Sequence, residues 1–199
     1  MESSRAADYK DLDPRVRRTR KMLQDALASL LKKKDFEKIS IGDIAEESTL
    51  NRATFYDHYP DKFALLECLV GSQFQELVEQ RNICFNGCTG ALRKIAAGVC
   101  YYLAETIRPG ADGLWQAGAP MDTAIVSVVR RLILDGFAHH PPRPGVPVEL
   151  VSSTIAWAIY GAAKEWAQNP KRVSVDRISA AIEEIVAPIL TALAREATA

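Results

Sequence analysis

Hydrophobic residues recur at spacings of three and four along most of the chain, with polar residues between them. The clearest stripes run from Met22 to Leu31, from Leu65 to Val78 and from Val175 to Leu193. This period matches one face of an α-helix, and no segment shows the two-residue alternation of a half-buried strand. We therefore predict an all-α fold, in which residues 125–137, apolar almost all round, form a buried helix.

Two short helices joined by a tight turn are predicted between residues 39 and 59. Ser40 is a favourable N-cap, and Asp43, three residues on, completes a carboxylate version of the capping box. Asn51 can cap the second helix. The start of each helix also has the spacing of a hydrophobic staple, formed by Ile39 with Ile44 and by Leu50 with Phe55. Two staples set the angle between the helices, which predicts a helix-turn-helix whose second helix enters the DNA major groove.

The second helix carries residue types that suit DNA. If Leu50, Phe55 and Tyr59 pack inward, the side chains left with polar atoms to present are Asn51, Arg52, Thr54, Tyr56 and His58. Arginine and asparagine can read guanine and adenine edges, while threonine, tyrosine and histidine can hold phosphates. Ala53 adds little bulk, so the backbone can approach the groove. An ordinary helical pair with a solvated polar face has the same spacing, and spacing alone leaves both interpretations open.

The run IGDIAEESTLNRATFYDHYPDKFALLE resembles the N-terminal signature of TetR-type transcriptional regulators, with similarity over residues 17–69. Residue types agree at Ile44-Ala45, Thr54-Phe55-Tyr56, His58-Tyr59 and Lys62. Thr49, however, replaces the usual turn glycine, and Asn51 replaces the usual serine. Threonine where φ is often positive predicts a slightly different turn, whereas asparagine caps a helix as well as serine does. The resemblance favours the DNA-binding interpretation.

The resemblance also implies a domain organisation and a set of DNA contacts. We expect a disordered arm at residues 1–14, a three-helix DNA-binding domain at 15–62 and an effector-binding and dimerisation body at 63–199. The expected DNA-binding residues are Arg17, Arg18, Ser40, Thr49, Asn51, Arg52, Ala53, Thr54, Tyr56, His58 and Lys62.

The charge distribution has a mild polarity of the right sign for DNA. The formal net charge is +0, which argues against nonspecific coating of nucleic acid. Residues 14–62 nevertheless hold 11 Lys and Arg against 8 Asp and Glu. Five of these cations lie within residues 15–21, at a helix start where they oppose the macrodipole and suit a neighbouring phosphate. Lys62 stands at the start of the fourth helix, and we expect a phosphate contact there for the same reason.

In the TetR family the C-terminal body binds a small molecule and dimerises through its last two helices. By this resemblance we expect a homodimer through residues 149–168 and 175–193, and hence double-stranded DNA with a palindromic operator. Six aromatic residues could line an apolar pocket, although each fits a plain core position better: Tyr101, Tyr102, Trp115, Phe137, Trp157 and Tyr160.

The most specific hypothesis is a repressor that a small-molecule effector releases from its operator through the fourth helix. The alternative is a constitutive dimeric DNA-binding protein or an activator. The sequence does not identify the effector, the operator or the regulated genes.

Other classes of function find less support. No GxGxxG, P-loop, HExxH or GxSxG motif occurs, so we predict neither an enzyme nor a cofactor. The four cysteines fit buried apolar positions better than a thiol sensor, and the adjacent His139 and His140 lack a third metal ligand. An architectural DNA protein would not need the long C-terminal body. With neither a membrane-spanning run nor a signal-peptide core, we expect a cytoplasmic protein without a membrane partner.

Overall fold

The computed structural model describes residues 13–83, 90–107, 117–139 and 145–194, and these ranges contain eight α-helices and one 3-10 turn. The helices are α1 (Pro14–Leu31), α2 (Ile41–Glu47), α3 (Arg52–His58), α4 (Lys62–Gln80), α5 (Ala91–Thr106), α6 (Ala119–His139), α7 (Val148–Gln168) and α8 (Val175–Ala194). The 3-10 turn, Phe36–Lys38, lies between α1 and α2. The described ranges contain no β-strand, and the predicted all-α fold is confirmed.

The chain forms two compact units. Of the described residues, the first comprises 13–73 and 117–124, and the second comprises 74–83, 90–107, 125–139 and 145–194. The boundaries at 73/74 and 124/125 fall inside α4 and α6, so each of these helices contributes residues to both units. The first unit holds α1, the 3-10 turn, α2 and α3, and the second holds α5, α7 and α8.

Helix α1 owes its start to a proline and an aspartate. Asp13 Oδ1 accepts a hydrogen bond of 2.7 Å from the Arg15 N–H, and Pro14 occupies the first helical position, where no N–H is needed. The sequence-based expectation that residue 14 belongs to a disordered arm is therefore wrong. Residues 1–12 of that arm lie outside the described part of the chain. The apolar stripe of α1 is fully buried at Leu23, Leu27 and Leu31.

Helix α2 is tied to α1 through one carboxylate. Glu47 Oε1 accepts a hydrogen bond of 2.6 Å from the Ser29 hydroxyl and lies 3.0 Å from the Lys33 ammonium. The Ser29 hydrogen bond and, after it, Lys33 lower the pKa of Glu47, so the carboxylate is ionised at neutral pH. The end of α2 is thus held by a charged acceptor.

In the second unit α5 packs against α7 and α8, which also contact each other. Gly98 allows the Phe74 ring to approach the backbone of α5 closely, because a Cβ at position 98 would lie 3.0 Å from that ring. Between α7 and α8 the Trp166 indole N–H donates to the Val173 carbonyl over 2.9 Å. This bond secures the short connection between the two helices that the sequence predicts to dimerise.

Helix α6 starts at Ala119, earlier than the hydrophobic pattern from Ile125 indicates. Gly118 precedes it with φ 60°, and its carbonyl accepts from the N–H groups of Met121 and Asp122 at 3.0 and 3.2 Å. The sequence pattern places this turn in a loop because Gly118 and Pro120 are typical loop residues.

Several sequence-based expectations fall on residues outside the described ranges, namely Trp115, Cys84, Cys88 and His140. Of the other cysteines, Cys68 is half-buried and Cys100 is buried. Burial raises the pKa of Cys100 to about 12, so its thiol is protonated and poorly reactive at neutral pH. Among the described helices, none has the length and apolar character needed to cross a bilayer.

Candidate nucleic-acid interface

The start of α2 is a complete capping box. The Ser40 hydroxyl accepts from the Asp43 N–H at 3.1 Å, while the Ser40 N–H donates to Asp43 Oδ2 at 2.7 Å. The Lys34 ammonium lies 2.9 Å from the same oxygen. The backbone hydrogen bond from Ser40, together with Lys34 and the Ser40 hydroxyl, holds the pKa of Asp43 well below its usual range. The predicted capping role of both residues is confirmed.

The turn between α2 and α3 is a Schellman motif with a threonine in the left-handed position. The Leu50 N–H donates to the Ala45 carbonyl (2.9 Å) and the Thr49 N–H to the Glu46 carbonyl (3.0 Å). Thr49 has φ 57°, so it keeps the left-handed conformation of the glycine that it replaces, and the expectation of a slightly different turn is wrong. The left-handed conformation costs a β-branched residue roughly 1–2 kcal/mol, and the two hydrogen bonds stabilise the turn against this strain.

Helix α3 is capped by Asn51, as predicted. The Asn51 Oδ1 accepts from the Thr54 N–H at 2.7 Å and from the Thr54 hydroxyl at 2.9 Å. The apolar side of the helix is buried at Phe55 and Tyr59. The opposite side leaves Arg52 and Tyr56 exposed, which places a guanidinium and a phenol on a surface that the described part of the chain does not cover.

Arg52 rests against the first turn of α2. A Cβ built on Gly42 would collide with the guanidinium, lying 3.1 Å from its Cζ and 3.2 Å from its Nε. Only glycine at position 42 therefore leaves room for the arginine in this place. Sequence reasoning missed Gly42, although an isolated glycine within a helix was a signal that could have been followed.

An arginine also shapes the C-terminal end of α3. The Arg20 guanidinium stands over the Tyr59 ring at 5.6 Å, and the Tyr59 hydroxyl accepts from the Gln24 amide at 3.3 Å. Burial and, after it, the charge of Arg20 lower the pKa of His58, while Asp57 opposes them. His58 is therefore neutral at pH 7 and would offer DNA one N–H donor rather than a charge.

Two expected DNA contacts have their donors occupied within the protein. The Ser40 hydroxyl lies 2.8 Å from Asp43 Oδ2, in addition to its capping bond. The Lys62 ammonium donates to the carbonyls of Phe36, Glu37 and Ile39. Neither side chain presents a free donor to the surface in this conformation.

Residues 23–69, from α1 into α4, match the family model of bacterial regulatory proteins, tetR family. This segment is similar to the TetR family. Over 75 residues the chain is 41% identical to YxbF of Bacillus subtilis (strain 168), described as an HTH-type transcriptional regulator. That match covers 37% of this chain and 20% of YxbF, so the chain spans about a fifth of that relative's length.

Solved structures resemble the fold over most of the chain. Lin0861 from Listeria innocua has a TM-score of 0.63 at 20% identity, covering 89% of this chain and 94% of that one. RolR, solved in complex with the ligand resorcinol, has a TM-score of 0.51 at 15% identity, covering 93% of this chain and 97% of that one. At such identities the likeness shows a shared fold.

Within the first unit most of the expected contact residues are accessible. The exposed ones are Arg17, Arg18, Ser40, Thr49, Asn51, Arg52, Ala53 and Tyr56, while Thr54, His58 and Lys62 are half-buried. Arg17 and Arg18 lie near the start of α1. Accessibility places these residues where DNA could reach them, and their contacts with DNA stay a prediction.

The aromatic residues expected to bind a ligand have different surroundings. Tyr102 and Tyr160 are buried, and burial raises the pKa of Tyr102. Phe137 is half-buried, as is Tyr101, whose ring lies 4.0 Å from the Arg81 guanidinium. Trp157 is 52% exposed, so within one chain it lies on the surface of α7 rather than inside the unit.

One buried polar group in the second unit was not predicted from the sequence. The Ser152 hydroxyl on α7 is buried without a hydrogen-bond partner among the described residues.

Proposed function

We propose that this protein is a sequence-specific transcriptional regulator that binds a palindromic DNA operator as a homodimer, with α3 in the major groove. The observation that supports this most strongly is the polarity of α3: Phe55 and Tyr59 are buried, while Arg52 and Tyr56 point outward. Caps at the starts of α2 and α3 make this surface rigid.

The hydrogen bonds of the free protein restrict what each residue can do. Asn51 uses its oxygen for capping, so it would offer DNA its amide N–H groups and contact an acceptor rather than pair bidentately with adenine. Arg52 would read a guanine edge, since its guanidinium makes no ion pair among the described residues. Tyr56, Arg17 and Arg18 would hold phosphates.

The proposed homodimer is supported by apolar surface on the last two helices. Leu150 and Trp157 on α7 and Ile185 on α8 are large hydrophobic residues that are more than half exposed. Exposed apolar groups of this size on neighbouring helices are typical of protein interfaces. A partner copy that covered them would place two α3 helices across a two-fold axis, about 34–36 Å or a multiple of it apart.

Arg52→Ala is expected to relax base choice at one operator position and to cost about 1–3 kcal/mol of binding free energy. The reason is that a bidentate guanidinium–guanine pair is lost while phosphate contacts stay. Binding selections from random DNA, followed by titration of the enriched sequence, measure both effects. Arg18→Ala is the matched control, which should weaken all sequences alike and flatten the salt dependence. Selections in which the unaltered protein enriches no motif would refute sequence-specific binding.

A second variant tests whether the placement of the Arg52 guanidinium, and not only its presence, determines base preference. Gly42→Ala would push the far end of the arginine side chain aside, yet it raises helix propensity by about 1 kcal/mol. We expect unchanged or higher stability with an altered base preference. In an Arg52→Ala background, Gly42→Ala should have no further effect on DNA binding, because its only target is gone. An additive effect would contradict the role of Gly42.

We further propose that a small molecule bound in the body releases the operator. Ser152 supports this, because a buried hydroxyl without a partner can pair with a polar group of a ligand. Tyr160 lies two turns further along the buried side of α7 and would supply apolar contact. The fold is shared with RolR, whose solved complex contains resorcinol.

If release is allosteric, operator DNA is expected to weaken effector binding by the same factor by which effector weakens operator binding, typically 5- to 150-fold. Calorimetric titration of an effector, with and without operator, measures this factor. Ser152→Ala is the matched variant, which should lower effector affinity without changing operator affinity. An effector that binds equally in both titrations would leave a constitutive DNA-binding protein.

A further inference from the structure

Lys62, the first residue of α4, lies at the meeting point of three backbone carbonyls. Its Nζ is 2.9 Å from the Phe36 oxygen, 3.2 Å from the Glu37 oxygen and 2.9 Å from the Ile39 oxygen. An ammonium group has three N–H donors, and here each of them has an acceptor. The side chain therefore closes the 3-10 turn against the start of α4.

Two aromatic rings surround the same ammonium. Its nitrogen is 4.6 Å from the centroid of the Phe36 ring and 5.8 Å from that of Phe63. The two rings meet edge to face at 5.3 Å, and Phe36 is buried. Rings at this distance stabilise a cation and reduce its access to water. A phosphate contact would require the ammonium to leave both the rings and the carbonyls.

The three carbonyls also explain why a positive charge is tolerated at the N-terminus of α4. A cation in the first turn of a helix opposes the macrodipole, so Lys62 gains nothing from α4 itself. Its stabilisation comes from the carbonyl oxygens of a segment that lies 23 to 26 residues earlier in the chain. The last of them, on Ile39, immediately precedes the N-cap Ser40 of α2. Lys62 thus joins the start of α4 to the start of α2.

We propose that Lys62 is a positioning residue for DNA recognition: it holds the start of α2, and through the α2–α3 turn the orientation of α3, instead of neutralising a phosphate. The proposal rests on the proposed function, since orientation matters for specific binding. It replaces the phosphate contact that the charge pattern suggested for this residue.

Lys62→Met tests the proposal, since methionine keeps the apolar stem against the two rings and removes the donors. We expect operator affinity to fall by about tenfold or more, the equivalent of losing one charge-assisted hydrogen bond. Affinity for nonspecific DNA and the salt dependence should stay as in the parent. Lys38→Met is the matched control, because the ammonium of this exposed lysine pairs only with Asp35 among the residues that the structure describes. Arg18→Met shows what the loss of a phosphate contact does: the slope of log binding constant against log salt concentration should fall in magnitude by about 1.

Lys62→Arg keeps the charge but cannot point three donors from one nitrogen at three carbonyls. Positioning predicts that arginine fails to restore operator affinity, whereas a phosphate contact predicts that it succeeds. Rescue by arginine, or a Lys62→Met salt slope lower by about 1 with equal loss on all sequences, would overturn the proposal. A lower melting temperature with unchanged operator affinity would also overturn it, because the role would then be structural only.

Hydrogen exchange of the free protein tests the same proposal without DNA. Lys62→Met should speed exchange of the backbone amides of α2 and α3, while Lys38→Met should not. Unchanged exchange there would overturn the positioning role. If the parent shows no operator preference but exchange changes as expected, the proposed function fails while the link between Lys62 and α2 stands.

Discussion

Gly161→Arg is expected to give a folded monomer that binds a palindromic operator roughly 10²–10⁴-fold more weakly than the parent. Gly161 lies on the exposed side of α7, one turn after Trp157, and a Cβ there would meet no atom within 4 Å in its own chain. Within one chain the substitution is therefore accommodated, and it raises helix propensity by about 1 kcal/mol. Any loss has to come from a partner copy, in which a charged side chain would be buried unpaired.

Sedimentation velocity at micromolar concentration gives the oligomeric state, and fluorescence anisotropy gives operator affinity. Gly136→Arg on α6 is the matched control: this glycine is also exposed, also has open space around it and lies outside the expected interface. The control should stay dimeric. A dimeric Gly161→Arg variant would exclude this part of α7 from the interface, and a monomeric parent would exclude the homodimer.

Phe55→Ala is expected to destabilise the first unit by about 3–5 kcal/mol, the usual cost of deleting a large buried aromatic side chain. Phe55 is fully buried on a helix of only 7 residues, and its ring contacts Tyr59 with centroids 6.1 Å apart. A helix this short is not stable alone, so α3 depends on this anchor for its conformation. DNA binding should be lost together with the structure of α3.

Urea unfolding followed by circular dichroism measures the change, and hydrogen exchange localises it to the first unit. Tyr56→Ala is the control on the same helix: the adjacent aromatic is 57% exposed, so its loss should change stability little. Equal destabilisation by the two variants would mean that the buried side of α3 does not anchor it.

The helix-turn-helix could be predicted from the sequence because the contacts that start its helices are short-range. Ser40 with Asp43 and Asn51 with Thr54 bond across three residues, and such contacts depend on the backbone next to them. The left-handed Thr49 was not predicted, because a β-branched residue disfavours φ > 0, whereas the hydrogen bonds of the turn require it at this position. Hydrophobic periodicity predicted most helices, and it missed the first turn of α6, where Gly118 and Pro120 are typical of a loop.

Burial of individual aromatic residues was less predictable. Tyr160 and Trp157 are three residues apart on α7, yet the first is buried and the second is exposed. The helix is rich in apolar and small residues on several sides, so the pattern does not say which side faces its own unit. That choice follows from how α7 packs against α5 and α8.

The sequence by itself determined the all-α class, the two capped helices and the residue types on α3, because each depends on neighbours within about one or two helical turns. Only the tertiary structure decided which of those residues are free to act. Lys62 and Arg52 carry the same charge at similar helix starts, but the first is held by three carbonyls and the second rests on Gly42. Their partners come from segments distant in the chain, and no local pattern encodes which oxygen or which glycine the fold brings beside a long cationic side chain.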